Sequence, residues 1–423
     1  MAIGIMLTFF DFRNDVRKVI GEMALRDTIV LFIRKEHEAL VQPYLSTGFQ
    51  YRIIEEHTAN PINRLAHILF LLFRKLPKSK QNYFLMEQFK SQNLPEQLKK
   101  KAKKALQLQR LLPKWMSYDL YLQMLHYSSK TSLEDISRML VWTEVYDDYL
   151  FARCLRNKIP TDVYVYSWDH TCKQVRFSKR AQYLVWHAGI ADDLRQLQGI
   201  DAQQIHIVGS TQLGYIKAYQ QLAATQPHKE QYFYFGCGVG LTQLIPEEIR
   251  VILIIAEMIR QVKPDHVLLV RPYPNCRDWQ IYAPLREHSH IQIEDDYRQQ
   301  DLSIPENNIV QKFDRISRAK AFFHTGTTLG LETCFTDTPS FLVDMAEDTG
   351  EPISLFHFVH QYQNEKYLIQ GGSHNVIQQM NQLVEVLHAP ENPTYMQLSY
   401  QVRDMFPVAD FSEMANRLLK PTA

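Results

Sequence analysis

Ala321-Phe-Phe-His-Thr-Gly-Thr-Thr-Leu-Gly-Leu-Glu-Thr-Cys-Phe335 is the stretch whose reading decides the fold. Its apolar start, residues 321–323, reads as a buried strand. Residues 324–328 form a tight turn of small and hydroxyl residues. Thr325 or Thr327 can cap a helix that carries Leu329, Leu331 and Phe335, and Pro339 stops the segment. Strand, small-residue turn and helix start make a natural anion site. First-turn N–H groups lack intrahelical partners, the helix dipole favours negative charge, and Gly326 permits close approach to the backbone. Glu332 follows just over a turn later, where a carboxylate suits ribose hydroxyls. Taken alone, the segment equally fits an ordinary β–turn–α unit with a well-capped helix.

Working outward, the 423 residues suggest two or three domains, and 45% hydrophobic residues suffice for substantial cores. A formal net charge of +1 provides no global field for nucleic acid or an acidic polymer. The cysteines, Cys154, Cys172, Cys237, Cys276 and Cys334, stand singly, which fits reduced thiols in a cytoplasmic protein. Residues 1–10 have no basic start or cleavage pattern and read as a first strand. No apolar stretch reaches the roughly 18 residues of a membrane span.

Along the chain, strands at residues 3–10, 28–33 and 51–54 alternate with helical stretches, which predicts a parallel α/β sheet covered on both faces. In such sheets ligands sit beyond the carboxyl ends of the strands, so Asp11 and Arg13 either face one or hold a helix-entry turn, and the turn is the better reading for Arg13. Residues 61–130 break the rhythm as a helical insertion. Within it, Lys99-Lys-Lys-Ala-Lys-Lys104 leads into leucines and Trp115. That is a solvated lysine face or a weak peripheral membrane contact, and the solvated face is the better reading. Thr131-Ser-Leu-Glu134 has the form of a capping box and predicts a long buried helix to about Arg156.

Residues 162–167 alternate as a strand and deliver Asp169 and His170 at their end. Further strands at residues 183–186 and 205–209 close a first Rossmann-like domain, expected over residues 1–222. Residues 223–230 read as a linker, and a second set of β/α units fills residues 223–394. Residues 374–387 read as a helix. The last helices, in residues 395–423, are expected to pack back on the first domain.

Three loops of the second domain end consecutive strands and should converge. Gly236-Cys-Gly-Val-Gly240 allows close backbone approach through Gly236 and Gly238. Arg271-Pro-Tyr-Pro274 sets a guanidinium on a proline-stiffened loop, either to fork onto phosphate or to form a structural ion pair. Residues 324–332 supply hydroxyls, a helix start and a carboxylate. Together these are the parts of a nucleotide diphosphate site.

On these motifs the chain resembles the GT-B glycosyltransferase superfamily, nearest to bacterial capsule and teichoic-acid type transferases and UDP-N-acetylglucosamine 2-epimerases. The Arg271-Pro-Tyr-Pro274 loop is similar to their Arg-Pro-His-Pro-like loop, with Tyr273 in place of the usual histidine. His324-Thr-Gly-Thr-Thr328 with Glu332 matches their serine/threonine turn and helical glutamate. Trp168-Asp169, Val185-Trp186 and Ile205-His-Ile-Val-Gly-Ser-Thr211 resemble the end of their amino-terminal domain. The resemblance covers residues 160–345.

It implies two Rossmann-like domains facing a cleft and a metal-independent transfer of a sugar from a nucleotide-sugar donor, with no other cofactor. The acceptor would be a glycan or lipid-linked hydroxyl, in surface polysaccharide or glycan biosynthesis. Glu332 would hold the ribose. Thr325, Gly326, Thr327, Thr328 and Arg271 would hold the diphosphate, with Gly236, Gly238, Tyr273 and His324 around it. His324 is also readable as a packed turn residue. Asp11 is the first candidate for the base, followed by Asp169 and His170. An epimerase-like isomerase and a non-catalytic nucleotide- or glycan-binding protein are the alternatives.

Overall fold

The computed structural model describes residues 1–7, 14–43, 48–57, 60–75, 111–142, 147–167, 170–173, 176–222, 228–239, 244–273, 276, 279–294, 306–347, 354–356, 359 and 373–420. Asp11, Asp169, Pro274 and the Lys99–Lys104 run lie outside them. The chain divides into two compact units, Met1–Thr211 with Phe411–Ala423, and Gln212–Asp410.

The first unit is built on a seven-stranded parallel sheet. In chain order its strands are β1 (Ala2–Leu7), β2 (Ile29–Ile33), β3 (Gln50–Ile53), β6 (Ile136–Trp142), β7 (Thr161–Tyr164), β8 (Gln182–Val185) and β9 (Ile205–Ile207). A short antiparallel pair, β4 (Glu56–His57) and β5 (Ser128–Ser129), stands apart. The spatial order is β3-β2-β1-β6-β7-β8-β9, so the winding reverses between β1 and β6. Every residue of β1 and β2 is buried. Near-continuous apolar runs of that kind mark parallel strands covered on both faces.

One sequence expectation is overturned here. Residues 136–142 form β6, the strand at the reversal, and a separate helix, Asp148–Arg156, begins only afterwards. A buried apolar run does not reveal its own period, and Ile136, Met139, Leu140, Val141 and Trp142 are all buried between layers. The capping-box residues serve a loop instead. Thr131 Oγ1 accepts from Glu55 N at 2.8 Å and donates to Ile53 O at 3.1 Å.

The second unit has a six-stranded parallel sheet: β10 (Tyr232–Gly236), β11 (Val267–Arg271), β12 (Ile291–Ile293), β13 (Phe322–His324), β14 (Ser340–Val343) and β15 (Val376–Ile377). Its order, β12-β11-β10-β13-β14-β15, reverses between β10 and β13, with Gly236 in register with His324. Strand β15 and a shorter helix, Met380–His388, replace the single helix expected over 374–387. The boundary between units falls after Thr211 rather than after residue 222. Only the last segment returns to the first unit: Arg26 reaches Ser412 at 2.7 Å, and Arg417 donates to Val208 O at 2.8 Å. The helix Gln397–Met405 stays with the second unit, where Arg403 donates to Cys334 O at 2.7 Å and to Thr336 O at 2.6 Å. No helix among the described residues is long and apolar enough to cross a membrane.

Candidate functional site

Open α/β sheets bind ligands beyond the carboxyl ends of the strands, at the point where the winding reverses. In the second unit that point lies between β10 and β13, where the Gly236–Val239 loop and the His324–Thr328 turn leave the sheet side by side. The two are in direct contact. A Cβ on Gly238 would lie 2.1 Å from the Gly326 carbonyl oxygen, and one on Gly236 would lie 2.5 Å from the Phe322 ring. Both glycines therefore serve loop-to-loop and loop-to-sheet packing rather than the phosphate cradle expected of them. Gly326 has a φ of +106°, which side-chain-bearing residues rarely adopt.

A residue that the sequence reading missed ties the loops together. Glu248, in the first turn of the helix Ile245–Val262, is fully buried. Its Oε1 accepts from Gly238 N at 2.9 Å and from Thr325 Oγ1 at 2.6 Å. Burial raises its carboxyl to about 7, and these two donors oppose the shift. In sequence, Pro246-Glu-Glu248 reads only as ordinary acidic residues at a helix start, so nothing marked it.

His324 is fully buried, and burial lowers its imidazole to about 3, so it is neutral. Its Nδ1 accepts from Gly326 N at 3.1 Å, which places the proton on Nε2. Nε2 packs against Gly330, where a Cβ would come within 2.4 Å. The packed-turn reading matches this geometry, and the phosphate-donor reading does not.

Thr327 caps the following helix by accepting from Leu329 N at 3.3 Å. That helix, Thr328–Thr333, has only six residues, so its dipole is weaker than the sequence suggested. No acceptor among the described residues meets the backbone N–H of Thr327 or Thr328, both half-buried.

Arg271 takes the structural alternative. It is 4% exposed and forms an ion pair with Glu294, which also receives Arg315 at 2.7 Å and the Tyr234 hydroxyl. A guanidinium so engaged is not a free fork for a diphosphate. Half-buried Tyr273 accepts from Cys276 N through its carbonyl at 3.0 Å. Glu332 is 9% exposed, and its Oε2 is bound by Lys312 Nζ. No described residue occupies Oε1. Burial lowers the Lys312 ammonium, while Glu332 raises it and Arg271 lowers it further. Lys312 comes from the helix Glu306–Arg318, 20 residues before its partner, and no local pattern announces the pair.

No protein-family model matches the sequence, and comparison with curated proteins returns none. Solved structures do match over the whole chain. The UDP-GlcNAc 2-epimerase from Neisseria meningitidis, solved bound to UDP-GlcNAc, is 11% identical with a TM-score of 0.50, over 99% of this chain and 98% of that one. The UDP-N-acetylglucosamine 2-epimerase from Rickettsia bellii is 10% identical with a TM-score of 0.50, over 99% and 95%. The wall teichoic acid polymerase TagF is 8% identical with a TM-score of 0.48, over 99% and 86%. The fold is GT-B. At these identities the likeness speaks for the fold alone.

Within this GT-B fold, the first unit's reversal lies between β1 and β6. Asp15, which opens the helix after β1, is 6% exposed. It accepts from Thr211 Oγ1 at 2.8 Å and from the Tyr166 hydroxyl at 3.4 Å. The Tyr164 hydroxyl accepts from Thr211 N at 2.9 Å. Asp15 thereby anchors the Gly209–Thr211 loop. His170 is 4% exposed and opens the short helix His170–Lys173. The candidate bases Asp11 and Asp169 fall outside the described residues.

Proposed function

We propose that the chain is a nucleotide-sugar-dependent glycosyltransferase whose donor binds at the winding reversal of the second unit. The observation that carries this reading is Glu332. One oxygen is fixed by Lys312 and the other is left for a ligand, so a buried, oriented carboxylate can accept hydrogen bonds from a ribose diol. The Thr327 and Thr328 N–H groups next to it suit diphosphate oxygens. Arg271, Lys312 and Arg315 against Glu294 and Glu332 leave the neighbourhood with positive charge in excess. That excess favours charge developing on a departing nucleoside diphosphate. The Neisseria enzyme with this fold binds UDP-GlcNAc, which supports the ligand class by analogy.

Transfer is favoured over epimerisation by the state of the titratable groups around the turn. Glu248 and Glu294 are engaged in hydrogen bonds and ion pairs, Glu332 is held by Lys312 with its other oxygen set for a ribose diol, and His324 is neutral and enclosed. Epimerisation at a sugar carbon needs acids and bases free to exchange protons with the ring. In the transferase the base acts on an acceptor hydroxyl instead, and we assign that role to Asp11 or Asp169. A glycan or lipid-linked acceptor of a surface polysaccharide is the class this reading implies.

The test is thermal shift with UDP, CDP, GDP, CMP and their sugar conjugates on the wild type and on Glu332→Ala. Stabilisation by one nucleotide that disappears in the variant is the expected result. No shift with any nucleotide at saturation would return the turn to a plain capped helix. Release of nucleotide only when acceptor is present then separates transferase from epimerase.

A further inference from the structure

Among the described residues, the carboxyl edge of the first unit's sheet holds a cation with no counter-charge. Arg74, directly after the helix Pro61–Phe73, is 8% exposed. Among the described residues its guanidinium makes neither an ion pair nor a hydrogen bond, and its Nε is fully enclosed. The nearest favourable contact is the Phe70 ring, 5.7 Å from Cζ. Its charged neighbours are themselves positive: Arg176 pulls its pKa down, and Arg74 in turn pulls down that of Lys114. Burial and Arg176 together lower the guanidinium to about 10, so it is still charged at neutral pH.

The surroundings are aromatic. Phe70 stacks on Tyr121 at 4.6 Å and lies 5.9 Å from Tyr118. Asp148, the carboxylate that meets these rings, is already engaged. It accepts from Tyr118 at 2.7 Å and Tyr121 at 3.1 Å, and lies 3.7 Å from Arg176. Asp148 therefore accounts for Arg176 and leaves Arg74 over. Proteins rarely keep a buried charge unpaired unless something outside the chain pairs it, because desolvation outweighs what one aromatic face returns.

The position is telling as well. Asp148 opens the helix after β6, one of the two strands at the winding reversal, and Arg176 follows the helix after β7. Ligands of such sheets gather there.

We propose that Arg74, with Arg176 beside it and the Phe70–Tyr121 stack as its wall, binds an oxyanion, a phosphate or a carboxylate, carried by the acceptor. As an acceptor site it deepens the transferase reading and rests on it. Oxyanion binding as such rests on Arg74 alone. A guanidinium offers a planar fork to either anion, and the aromatic wall suits the apolar face of an attached sugar.

The experiment compares wild type, Arg74→Met and Arg74→Lys in the full chain. Melting is followed against inorganic phosphate and, separately, a hexuronate, and binding is followed by calorimetry. Phosphate salts stabilise proteins generally, so the shift is read as the difference between variants. Three results are expected. Arg74→Met melts no lower than wild type without ligand, because it removes an unpaired buried charge. It loses the anion-specific shift and weakens binding by about thirtyfold or more. Arg74→Lys recovers part of that binding, because it keeps the charge and loses the fork. The preferred anion identifies the acceptor's group. The proposal is overturned if wild type binds neither anion, if Arg74→Met binds as wild type does, or if Arg74→Lys recovers nothing. Glu332→Ala should leave the anion shift intact, and Arg74→Met should leave any nucleotide shift intact. Failure of this site and failure of the donor reading thus give different results.

Discussion

Arg271 and Arg74 are both buried arginines at the carboxyl edge of a parallel sheet, and they are used in opposite ways. Arg271 sits in the proline-stiffened loop that singles it out in sequence, yet its charge is met by Glu294 inside the protein. Arg74 sits in no motif at all, and among the described residues nothing meets its charge. The same contrast separates the two edges. In the second unit the loops at the reversal are interlocked by Glu248, Thr325 and a glycine-to-carbonyl contact. In the first unit a cation is left over among aromatic rings. Which arginine is available to a ligand is decided by the carboxylates folded next to it, not by its neighbours in the chain.

The largest expected effect breaks that contrast from the Arg271 side. Glu294→Gln removes the carboxylate that Arg271 and Arg315 share in the interior, and should lower unfolding stability by about 3–5 kcal/mol in a urea titration. The same titration on Arg74→Met should show no loss. Equal losses in the two variants would mean that both arginines are structural.

The next effect concerns Glu248. Its folded pKa, about 7, lies above its unfolded value of 4.5, so between those limits the folded state holds more protons than the unfolded one. Stability from this group is complete below the unfolded pKa and lost as pH rises through 7, by at most about 3 kcal/mol. Glu248→Gln still offers an oxygen to Gly238 N and Thr325 and should flatten the profile between pH 5 and pH 7.5, a window set by those two values. His324 works in the other direction. Its folded pKa of about 3 is depressed, so its contribution is present above the unfolded pKa of 6.5 and lost as pH falls. Denaturation at several pH values separates the two. A Glu248→Gln profile parallel to the wild type would show that Glu248 is not the group responsible.

The smallest effect sharpens the picture of interlocked loops. Gly238→Ala sets a methyl against the Gly326 carbonyl, where backbone faces backbone and neither side can swing away. A loss of about 1–3 kcal/mol is expected, with nucleotide binding reduced alongside. Gly21→Ala, in the helix Asn14–Ala24 with nothing near its Cβ, is the control and should be neutral or slightly stabilising. If the two variants behaved alike, the loops would not be in the contact described.

Much of this was legible in the chain. Alternating strands and helices announced two parallel α/β units. Residues 321–335 gave the strand, the turn and a hydroxyl cap at Thr325 or Thr327, of which the structure uses Thr327, because hydroxyl caps and glycine turns act through atoms only a few residues apart. The same sequence misreported residues 131–156 as one helix. Residues 139–142 are wholly apolar and buried, and so short a run with no polar residue has no period to read. The sequence also left Arg271 between a phosphate fork and a structural ion pair, because the partner Glu294 is 23 residues away, just past the next strand.

Local chemistry, then, was legible in the sequence alone: which segments form strands, which residues turn, and that a hydroxyl caps the helix after the turn. Pairing was settled only by the tertiary structure. Glu248 reaches Thr325 across 77 residues, Lys312 reaches Glu332 across 20, and Arg74 is left without a partner among the described residues. The physical reason is that a charge acts over a few ångströms of space in a low-dielectric interior, and spacing along the chain says little about which groups folding will bring within that range.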